Sequence, residues 1–367
     1  MSQSKTRRET VRKARPDIAV PLLAWYTRNK RDLPWRKTRD PYRIWVSEAM
    51  LQQTRVETVI PYYNRFLSEF PNIRTLAQAP LEHVLKVWEN LGYYSRARNL
   101  HAAAGIILQR MEGEIPKDGD SLLALPGVGP YIAAAIRSLA FGERVPALDG
   151  NVRRVLCRIL AIRIPLDRPV AQKRISRLAE QALQSIDSSS FNQGLMDLGA
   201  QVCTPRNPSC TQCPLEHLCL ARGKGIETTV PVKRKRRPLP LRDAVAAVLH
   251  DRRNRLLVVR RPGSGLLGGL WKFPGGVTEA GEGIEEALER TVMKELGIRV
   301  RVGRPLASVK HAYSHFRIRL HAFACEKTGG RPRPLGCEAW RWVEPDRVEE
   351  LPLSRAERKL IEALERL

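Results

Sequence analysis

The sequence predicts a two-domain protein in which an all-helical region precedes a smaller α/β region. Between Ile18 and Ala221, apolar residues recur at steps of three and four, with Pro and Gly at the segment ends, which is typical of packed helices. After Leu241, short apolar runs indicate strands mixed with helices. At 367 residues the chain is long enough to bury two hydrophobic cores.

Charge is the strongest compositional signal. Lys and Arg number 63 against 38 Asp and Glu, which gives a formal net charge of +25. Such an excess predicts a polyanionic partner. Nucleic acid is favoured over an anionic membrane, because the sequence has no basic amphipathic helix, no apolar run of about 18 residues and no signal peptide. We therefore expect a monomeric cytoplasmic protein of bacterial type, associated with the nucleoid.

Composition divides the chain into four segments. Residues 1–15 are predicted to be a flexible basic arm, and residues 16–225 a helical core of two lobes. Residues 226–240 read as a linker in which Lys233–Arg237 are all basic, and residues 241–367 form the second domain. The linker is interpreted either as following DNA phosphates or as a solvated hinge.

Apolar periodicity predicts the individual elements. The predicted helices of the core are Ile18–Lys30, Ile44–Phe66, Leu81–Leu85, Ser95–Met111, Tyr131–Phe141, Val152–Ala161 and Val170–Ala182. The predicted strands of the second domain are Ala244–Leu249, Leu256–Arg260, Arg317–Ala324 and Ala339–Val343. Its predicted helices are Glu282–Leu296 and Ser354–Arg366.

A glycine-rich turn, LPGVG at Leu125–Gly129, is predicted between two helices. Gly127 and Gly129 lack side chains that would obstruct the backbone, so adjacent N–H groups can face a phosphate. We expect this turn to contact DNA, and a cation is a further candidate ligand there. The alternative is an ordinary helix–turn–helix corner.

Four of the seven cysteines fall in one short segment. Cys203, Cys210, Cys213 and Cys219 have the spacing C-x6-C-x2-C-x5-C. In a chain without a secretion signal, this clustering predicts a metal site and not disulfides. A compact loop suits a 4Fe–4S cluster, whereas structural zinc more often has two separated ligand pairs. Zinc and unpaired thiols are the alternatives, and Cys157, on an apolar helical face, is predicted to be a core residue.

Together these features resemble the endonuclease III superfamily of base-excision DNA glycosylases, which has a helix-hairpin-helix core. Within it, Trp45–Thr54 and Leu91–Ser95 are similar to the adenine DNA glycosylase (MutY) branch. The resemblance extends from about residue 18 to the C-terminus. Relatives that also cut the strand carry a Lys soon after the turn, where this chain has Tyr131. The resemblance therefore implies a monofunctional glycosylase.

Two carboxylates are candidates for the chemistry. Cleavage of an N-glycosidic bond needs a protonated leaving base and a stabilised cationic sugar, and two carboxyl groups in different protonation states suit that task. Glu48 has apolar neighbours on a predicted helix, so burial should raise its pKa as a general acid requires. Asp149 precedes a helix whose positive end favours its anion. The alternatives are a surface carboxylate for Glu48 and a simple N-cap for Asp149.

The resemblance also implies roles for individual residues. Glu48 would protonate adenine at N7, Asp149 would stabilise the sugar cation or bond to it transiently, and Asn151 and Tyr131 would position and shield them. An adenine must leave the duplex to reach such a site. The residues implied as wedges in the stack or as contacts to the opposite base are Leu51, Gln53, Tyr93 and Thr54. The alternative for Leu51 and Tyr93 is that they are core residues. Those implied for the adenine pocket are Arg31, Trp35, Arg36 and Gln193.

The second domain nearly contains a Nudix box. Gly276, Glu282, Arg290, Val292, Glu295, Gly297 and Ile298 fit G-x5-E-x7-R-E-U-x-E-E-x-G-U, where U is apolar. Thr291 and Lys294 replace two metal-binding glutamates, so we expect the fold to be retained and pyrophosphate hydrolysis to be lost.

One loop of this domain resembles the 8-oxoguanine recognition loop of the MutY branch. Tyr313, Ser314 and His315 stand where that family has Phe-Ser-His. A Ser hydroxyl can donate or accept, so it can read the edge that differs between guanine and its oxidised form. The alternative is a β-hairpin with a polar tip.

The resulting hypothesis is a glycosylase that removes adenine opposite 8-oxoguanine, or opposite guanine, in double-stranded DNA. The rivals are an endonuclease III-like glycosylase/lyase, a non-catalytic iron–sulfur DNA-binding protein that senses redox state, and an active Nudix hydrolase. Tyr131 opposes the first, the carboxylate pair opposes the second, and Thr291 with Lys294 opposes the third.

Overall fold

The computed structural model describes residues 17–184, 186–232 and 238–366. The predicted basic arm at 1–15 and the basic run Lys233–Arg237 lie outside the described residues. None of the described helices combines the length and the apolarity that a membrane span needs.

Helices account for nearly all regular structure before residue 240. They are α1 (Ala19–Asn29), α2 (Pro41–Leu51), α3 (Val56–Glu69), α4 (Ile73–Gln78), α5 (Leu81–Val87), α6 (Ser95–Arg110), α7 (Gly119–Leu123), α8 (Pro130–Leu139), α9 (Gly150–Ile159), α10 (Pro169–Ala182), α11 (Ser188–Gln201) and α12 (Leu220–Gly223). Most predicted helices are confirmed to within a few residues at each end.

One helix boundary differs from the predictions, and some helices, namely α4, α7, α11 and α12, were not predicted. The single helix predicted over Ile44–Phe66 is wrong: it is α2 and α3, separated by a turn in which Gln53 has φ of 59°. Helical periodicity continues across this break because each helix buries apolar residues, such as Met50 in α2 and Val59 in α3. The helix α11 was not predicted, because its run of serines and glycines weakens the apolar repeat.

The chain divides into two compact units. The first contains the described residues up to Trp45, Lys117–Leu123 and the described part of Val128–Lys235. Its core is formed mainly by α1, α9, α10 and α11, and Cys157 is buried within it, as predicted. The second unit contains Val46–Pro116, Ala124–Gly127 and the described residues after Arg236.

The C-terminal domain lies in the second unit and contains two three-stranded sheets. Its strands are β1 (Leu241–Leu249), β2 (Leu256–Arg260), β3 (Trp271–Lys272), β4 (Arg299–Ala312), β5 (Arg317–Gly329) and β6 (Ala339–Val343). One sheet has the order β1-β5-β4, with β1 parallel to β5, and the other has the order β3-β2-β6. The strand β4 was not predicted, because charged residues and a glycine interrupt its alternation.

Two helices, α13 (Ile284–Leu296) and α14 (Arg355–Leu364), cover this domain. Alternate residues of β1 enter two different cores: Ala246 packs in the core that includes Leu360 of α14, and Ala247 packs in the core that includes Val292 of α13. This two-sided burial explains the continuous apolar run in β1. The hairpin between β4 and β5 carries the predicted recognition loop.

Candidate functional site

Asp149 is the N-cap of α9. Its Oδ1 accepts a hydrogen bond from the backbone N–H of Val152 at 2.6 Å, and its Oδ2 accepts from Nδ2 of Asn151 at 3.1 Å. Burial nevertheless raises the pKa of Asp149 above its ordinary value, and these hydrogen bonds only partly oppose it. Desolvation therefore opposes the stabilisation of the anion that the helix N-terminus and these hydrogen bonds provide. The N-cap geometry leaves Oδ2 held by one side chain only.

A chain of polar contacts leads from Asp149 towards the cysteine loop. Asn151 accepts a hydrogen bond from Arg154 at 2.8 Å, and Arg154 also donates to the carbonyl oxygen of Cys203 at 2.9 Å. The close packing of α9 on α11 requires a glycine, because a Cβ on Gly199 would lie 2.7 Å from Cβ of Asn151. This crossing fixes Asn151 beside Asp149. Arg154 was not predicted, since an Arg on a basic helix carries no distinguishing sequence signal.

The cysteine loop is built from short 3-10 turns after α11. Cys210 opens one turn, and the second turn ends just before Cys219. Burial raises the pKa of the Cys213 thiol to about 12, and the other three thiols of the motif add to that rise. Arg158 donates a hydrogen bond to Sγ of Cys203 at 3.2 Å. The four thiols are therefore electrostatic neighbours, and one of them is supported by a buried cation.

This donor set fits an iron–sulfur cluster better than one metal ion. In a 4Fe–4S cluster each thiolate binds its own iron, so the four sulfurs stand farther apart than around a single zinc. Among the described residues, no three His, Cys, Asp or Glu side chains converge closely enough to hold a single ion. Cys203, Cys210, Cys213 and Cys219 would hold the cluster, and positive charge from Arg158 would offset its thiolates.

Two of the four predicted adenine-pocket residues, Arg31 and Arg36, pair with a buried carboxylate. Asp197 has 0 % exposure, and it receives Arg31 at 2.7 Å and the fork of Arg36 at 2.6 and 2.8 Å. Gln193 accepts a hydrogen bond from the Tyr26 hydroxyl at 3.2 Å. The arginines thus neutralise Asp197, which an apolar environment would otherwise destabilise strongly. Arg31 and Arg36 are thus held in place by Asp197. Trp35, the residue before Arg36, is buried.

Glu48 lies in the last turn of α2 and is 4 % exposed. The surface alternative for this residue is therefore wrong. Tyr131 is half-buried in the first turn of α8. Glu48 belongs to the second compact unit, whereas Asp149, Asn151 and Tyr131 belong to the first.

The glycine-rich turn has one constrained glycine. Gly127 has φ of 76°, and a Cβ there would lie 2.7 Å from Cβ of Asn99. A side chain at this position would therefore be strained and would also clash. Gly129 precedes α8 with φ of −89° and has open space around it. Gly129 is therefore not required by backbone conformation, and its small size leaves the helix N-terminus accessible to an anion.

The predicted wedge residues lie on two neighbouring turns of the second unit. Tyr93 is 37 % exposed and donates a hydrogen bond to the side-chain oxygen of Gln53 at 2.6 Å, so it is not the core residue of the alternative interpretation. Both residues have positive φ, 46° for Tyr93 and 59° for Gln53. Leu51 and Thr54 are half-buried.

The predicted recognition loop meets these turns. Ser314 lies at the exposed tip of the β4–β5 hairpin and donates a hydrogen bond to the Tyr93 hydroxyl at 2.6 Å. Tyr313 packs under the tip against Phe316 at a ring distance of 5.1 Å, and His315 is exposed. The hairpin interpretation is confirmed as a description of the backbone, and the loop also contacts the wedge turns.

A buried ion pair fixes the C-terminal domain on the helical segment of its unit. Glu89 accepts two hydrogen bonds from Arg358 of α14 at 2.7 and 2.6 Å, and it accepts the backbone N–H of Leu353 at 2.9 Å. Lys86 pairs with Glu89 at 3.0 Å. These contacts explain how the tip of a distant hairpin is held beside Tyr93.

The Nudix-type residues do not fit a catalytic divalent cation. Thr291 is buried and donates to the Ala287 carbonyl of its own helix at 2.7 Å. Glu295, the last acid of the box, forms an ion pair with Lys272 at 2.7 Å, and Lys272 also contacts the carbonyl oxygen of Gly275. Burial lowers the pKa of Lys272, and the Glu295 carboxylate opposes that shift. A lysine ammonium thus occupies the oxygen ligands that a metal ion would need.

Family models match three segments of the chain. The model of the HhH-GPD superfamily base excision DNA repair protein covers residues 46–181. The iron-sulfur binding domain of endonuclease III covers 203–219, and the NUDIX domain covers 244–363. These matches confirm the predicted fold class and the prediction of an iron–sulfur cluster as cofactor.

The chain is also similar over most of its length to known adenine DNA glycosylases. The chain is 34 % identical over 395 residues to the adenine DNA glycosylase of Homo sapiens, which covers 92 % of this chain and 72 % of that protein. The chain is also 34 % identical over 305 residues to the adenine DNA glycosylase of Buchnera aphidicola subsp. Acyrthosiphon pisum, and the alignment covers 82 % of this chain and 84 % of that protein. The structure of a thermostable thymine-DNA glycosylase aligns with a TM-score of 0.51 at 30 % identity, covering 56 % of this chain and 95 % of that chain.

A helix-hairpin-helix core followed by an iron–sulfur loop defines a base excision DNA repair protein of the HhH-GPD class. The additional NUDIX domain and the similarity over most of the chain narrow this class. The chain belongs to the adenine DNA glycosylase family.

Proposed function

We propose that this protein excises adenine paired with 8-oxoguanine, and also adenine paired with guanine, from double-stranded DNA. The observation that carries the proposal is the hydrogen-bonded series Ser314–Tyr93–Gln53. It joins a loop of the C-terminal domain to two exposed side chains on turns of the helical segment. In this arrangement the residue that reads the opposite base, Ser314, lies beside the residues that open the base stack, Tyr93 and Gln53.

Glu48 serves as the general acid. Its burial in the last turn of α2 supports this role, because desolvation disfavours the charged form of a carboxyl group. From there it donates a proton to N7 of the extruded adenine. Protonation turns the purine into a better leaving group, and the C–N bond then breaks with its electron pair passing to the base.

Asp149 stabilises the cationic sugar left behind. Its Oδ1 is held by the N-terminus of α9, and Asn151 orients Oδ2. An anion fixed in a desolvated site acts strongly on a developing oxocarbenium ion. Water then adds to C1′, either directly to the cation or with cleavage of a transient bond between Asp149 and C1′, and it releases one proton to solvent. Tyr131 shields the site during these steps.

Extrusion of the adenine opens a gap in the duplex, and Leu51, Gln53 and Tyr93 fill it. Thr54 contacts the opposite base, and Ser314 reads its oxidised edge. The helix N-terminus after Gly129 binds a backbone phosphate, with a cation at the turn as a further ligand. The trapped adenine is bounded by Arg31, Trp35, Arg36 and Gln193.

The protein is proposed to be monofunctional and to act as a monomer. A strand-cutting relative needs an amine that forms a Schiff base with the sugar. Tyr131, at the position the resemblance identifies for that amine, has a phenol instead.

Single-turnover release of adenine from a duplex with one A:8-oxoguanine pair tests the proposal. Wild-type protein should release adenine and leave an uncut abasic strand. Glu48→Gln should abolish release while retaining DNA binding, whereas Glu57→Gln, an exposed carboxyl group in α3, should behave as wild type. No adenine release by the wild-type protein would refute the assignment, and strand cleavage at the same rate would refute monofunctionality.

A further inference from the structure

Arg96, in the first turn of α6, is a buried cation that contacts both wedge turns. It is only 8 % exposed. Arginine is seldom buried unless its N–H groups all find acceptors. The residues that accept from Arg96 lie between positions 49 and 54 and between positions 91 and 93.

The first set of acceptors lies in the last turn of α2, the helix that carries Glu48. Arg96 Nη1 donates to the carbonyl oxygens of Ala49 at 3.1 Å and Met50 at 2.6 Å. The last carbonyl groups of a helix have no partner within it, and a cation at this end is stabilising. Arg96 therefore caps α2 one residue beyond Glu48.

The second set fixes the two turns. Arg96 Nη1 donates to the carbonyl oxygen of Gln52 at 2.7 Å, and its Nη2 donates to that of Gly92 at 3.0 Å. Each carbonyl belongs to the peptide that leads into a residue with positive φ, namely Gln53 and Tyr93. Such conformations persist only where surrounding contacts hold them.

Only a guanidinium can make this set of contacts. All of the acceptors are neutral oxygens, and they lie on two separate stretches of chain. A planar fork can donate to both stretches at once, whereas a lysine ammonium is a compact group with fewer donors. The ring of Trp88 lies 5.3 Å from the guanidinium carbon and provides a cation–π contact on one face.

We propose that Arg96 is a positioning residue that holds Gln53 and Tyr93 as a preformed wedge and aligns the end of α2 that carries Glu48. This inference rests on the proposed adenine excision. Arg96 itself touches neither DNA nor adenine. Its role is to make the turns rigid before the duplex arrives, so that opening the stack does not also require ordering the wedge.

The test compares Arg96→Lys and Arg96→Met with Arg98→Met as a matched control. Arg98 lies in the same helix and donates to the carbonyl oxygens of Gly265 and Gly268, away from both wedge turns. Each variant is assayed at saturating enzyme for single-turnover release, normalised to its active fraction, and its Tm and duplex affinity are measured. The fluorescence of 2-aminopurine, in place of the target adenine, reports base extrusion.

Arg96→Lys should remain folded, bind undamaged duplex within about twofold of wild type, and lose about tenfold to hundredfold in release rate. Its extrusion signal should fall as well. The defect should be smaller for adenine opposite an abasic site, where the stack resists opening less. Arg96→Met should show a larger loss of the same kind, and Arg98→Met should keep the wild-type extrusion signal.

Two results would overturn the inference. One is a folded Arg96→Lys variant whose release rate and extrusion signal equal those of wild type. The other is an equal rate loss on paired adenine and on adenine opposite an abasic site, which would indicate a defect in bond cleavage alone. Neither result depends on Arg96→Met folding. Failure of the wild-type protein to release adenine would instead refute the proposed function.

Discussion

The Ser314 hydroxyl donates a hydrogen bond to the Tyr93 hydroxyl at 2.6 Å, although the two residues are 221 positions apart in the chain. The contact joins the hairpin tip of the C-terminal domain to a turn of the helical segment. The Tyr93 hydroxyl in turn donates a hydrogen bond to the side-chain oxygen of Gln53. The residues proposed to read the opposite base and to open the stack are therefore ordered relative to one another before DNA binds.

Removal of the Ser314 hydroxyl should reduce lesion preference. Ser314→Ala is expected to lower the rate on A:8-oxoguanine about tenfold while changing the rate on A:G little, because one hydrogen bond to the oxidised edge is lost. The ratio of single-turnover rates on the two duplexes measures this. Tyr94→Phe is the control, since it removes a neighbouring hydroxyl that donates to the Leu353 carbonyl. An unchanged ratio in Ser314→Ala would exclude this reading role.

The Asp149 carboxylate should raise the rate of adenine release but lower the free energy of unfolding at neutral pH, relative to a neutral side chain at the same position. Because burial raises its pKa, the folded state binds a proton there more tightly than the unfolded state. This group stabilises the fold at low pH, and the contribution is lost as the pH rises through the folded-state pKa. Asp149→Asn should therefore be at least as stable as wild type at neutral pH, with an advantage that shrinks on acidification, and should lose activity about a thousandfold.

Urea unfolding across the acid range, together with single-turnover release, measures both effects. Asp187→Asn is a matched control, because Asp187 is also an N-cap and accepts from the backbone N–H of Ser190 at 2.7 Å. Burial raises the pKa of Asp187, but hydrogen bonds from Ser190 outweigh it and the net shift is downward. Asp187→Asn should therefore lose stability at neutral pH. A loss of the same sign in Asp149→Asn would contradict the prediction.

The cysteine loop should hold about four irons per chain and give a brown protein. Arg158→Met removes the positive charge and the N–H donor beside Cys203, so the cluster should be lost faster during aerobic dialysis. Iron content and visible absorbance follow this loss. Arg163→Met, at an exposed position after α9, should retain its iron as wild type does. Stoichiometric zinc in the purified protein would overturn the cluster assignment.

Lys272 should make the C-terminal domain independent of divalent metal. Lys272→Met leaves the Glu295 carboxylate without its cation in a largely buried site, which is expected to cost about 3–5 kcal/mol of unfolding free energy. Lys272→Met combined with Glu295→Gln should recover much of that loss. Urea unfolding with Mg²⁺ and with chelator measures these effects. A wild-type protein stabilised by Mg²⁺, or active on nucleoside triphosphates, would contradict the prediction.

Sequence patterns were sufficient for the elements that bury a clean apolar face. The strands β2 and β6 were predicted with their observed ends, and most helices within a few residues. The break between α2 and α3 was not predicted, because the carbonyl groups at the break are bound by Arg96, a residue of a different helix that a local sequence pattern does not reveal. The strand β4 was missed for a related reason, since pairing with β5 overrides a charged and irregular sequence.

The candidate site shows the same division. Cysteine spacing predicted the iron–sulfur loop, whereas Glu48 and Asp149 were selected as candidates only together with the family resemblance. Residue types and spacing could not supply the direction of the Asp149 pKa shift, because local rules see the helix N-terminus and not the burial imposed by tertiary packing. Nor could they select Arg96, Arg154 or Lys272 from 63 basic residues, since what distinguishes these three is the acceptor each one meets.

The ion pair of Lys272 with Glu295 has a consequence for how this repair protein depends on its surroundings. A cation that is encoded in the polypeptide cannot be chelated, exchanged or diluted away. The recognition proposed for the C-terminal domain should therefore persist under metal starvation, which would inactivate a magnesium-dependent Nudix enzyme. The iron of the cysteine loop is then a nutrient-derived component that the proposed excision activity still requires.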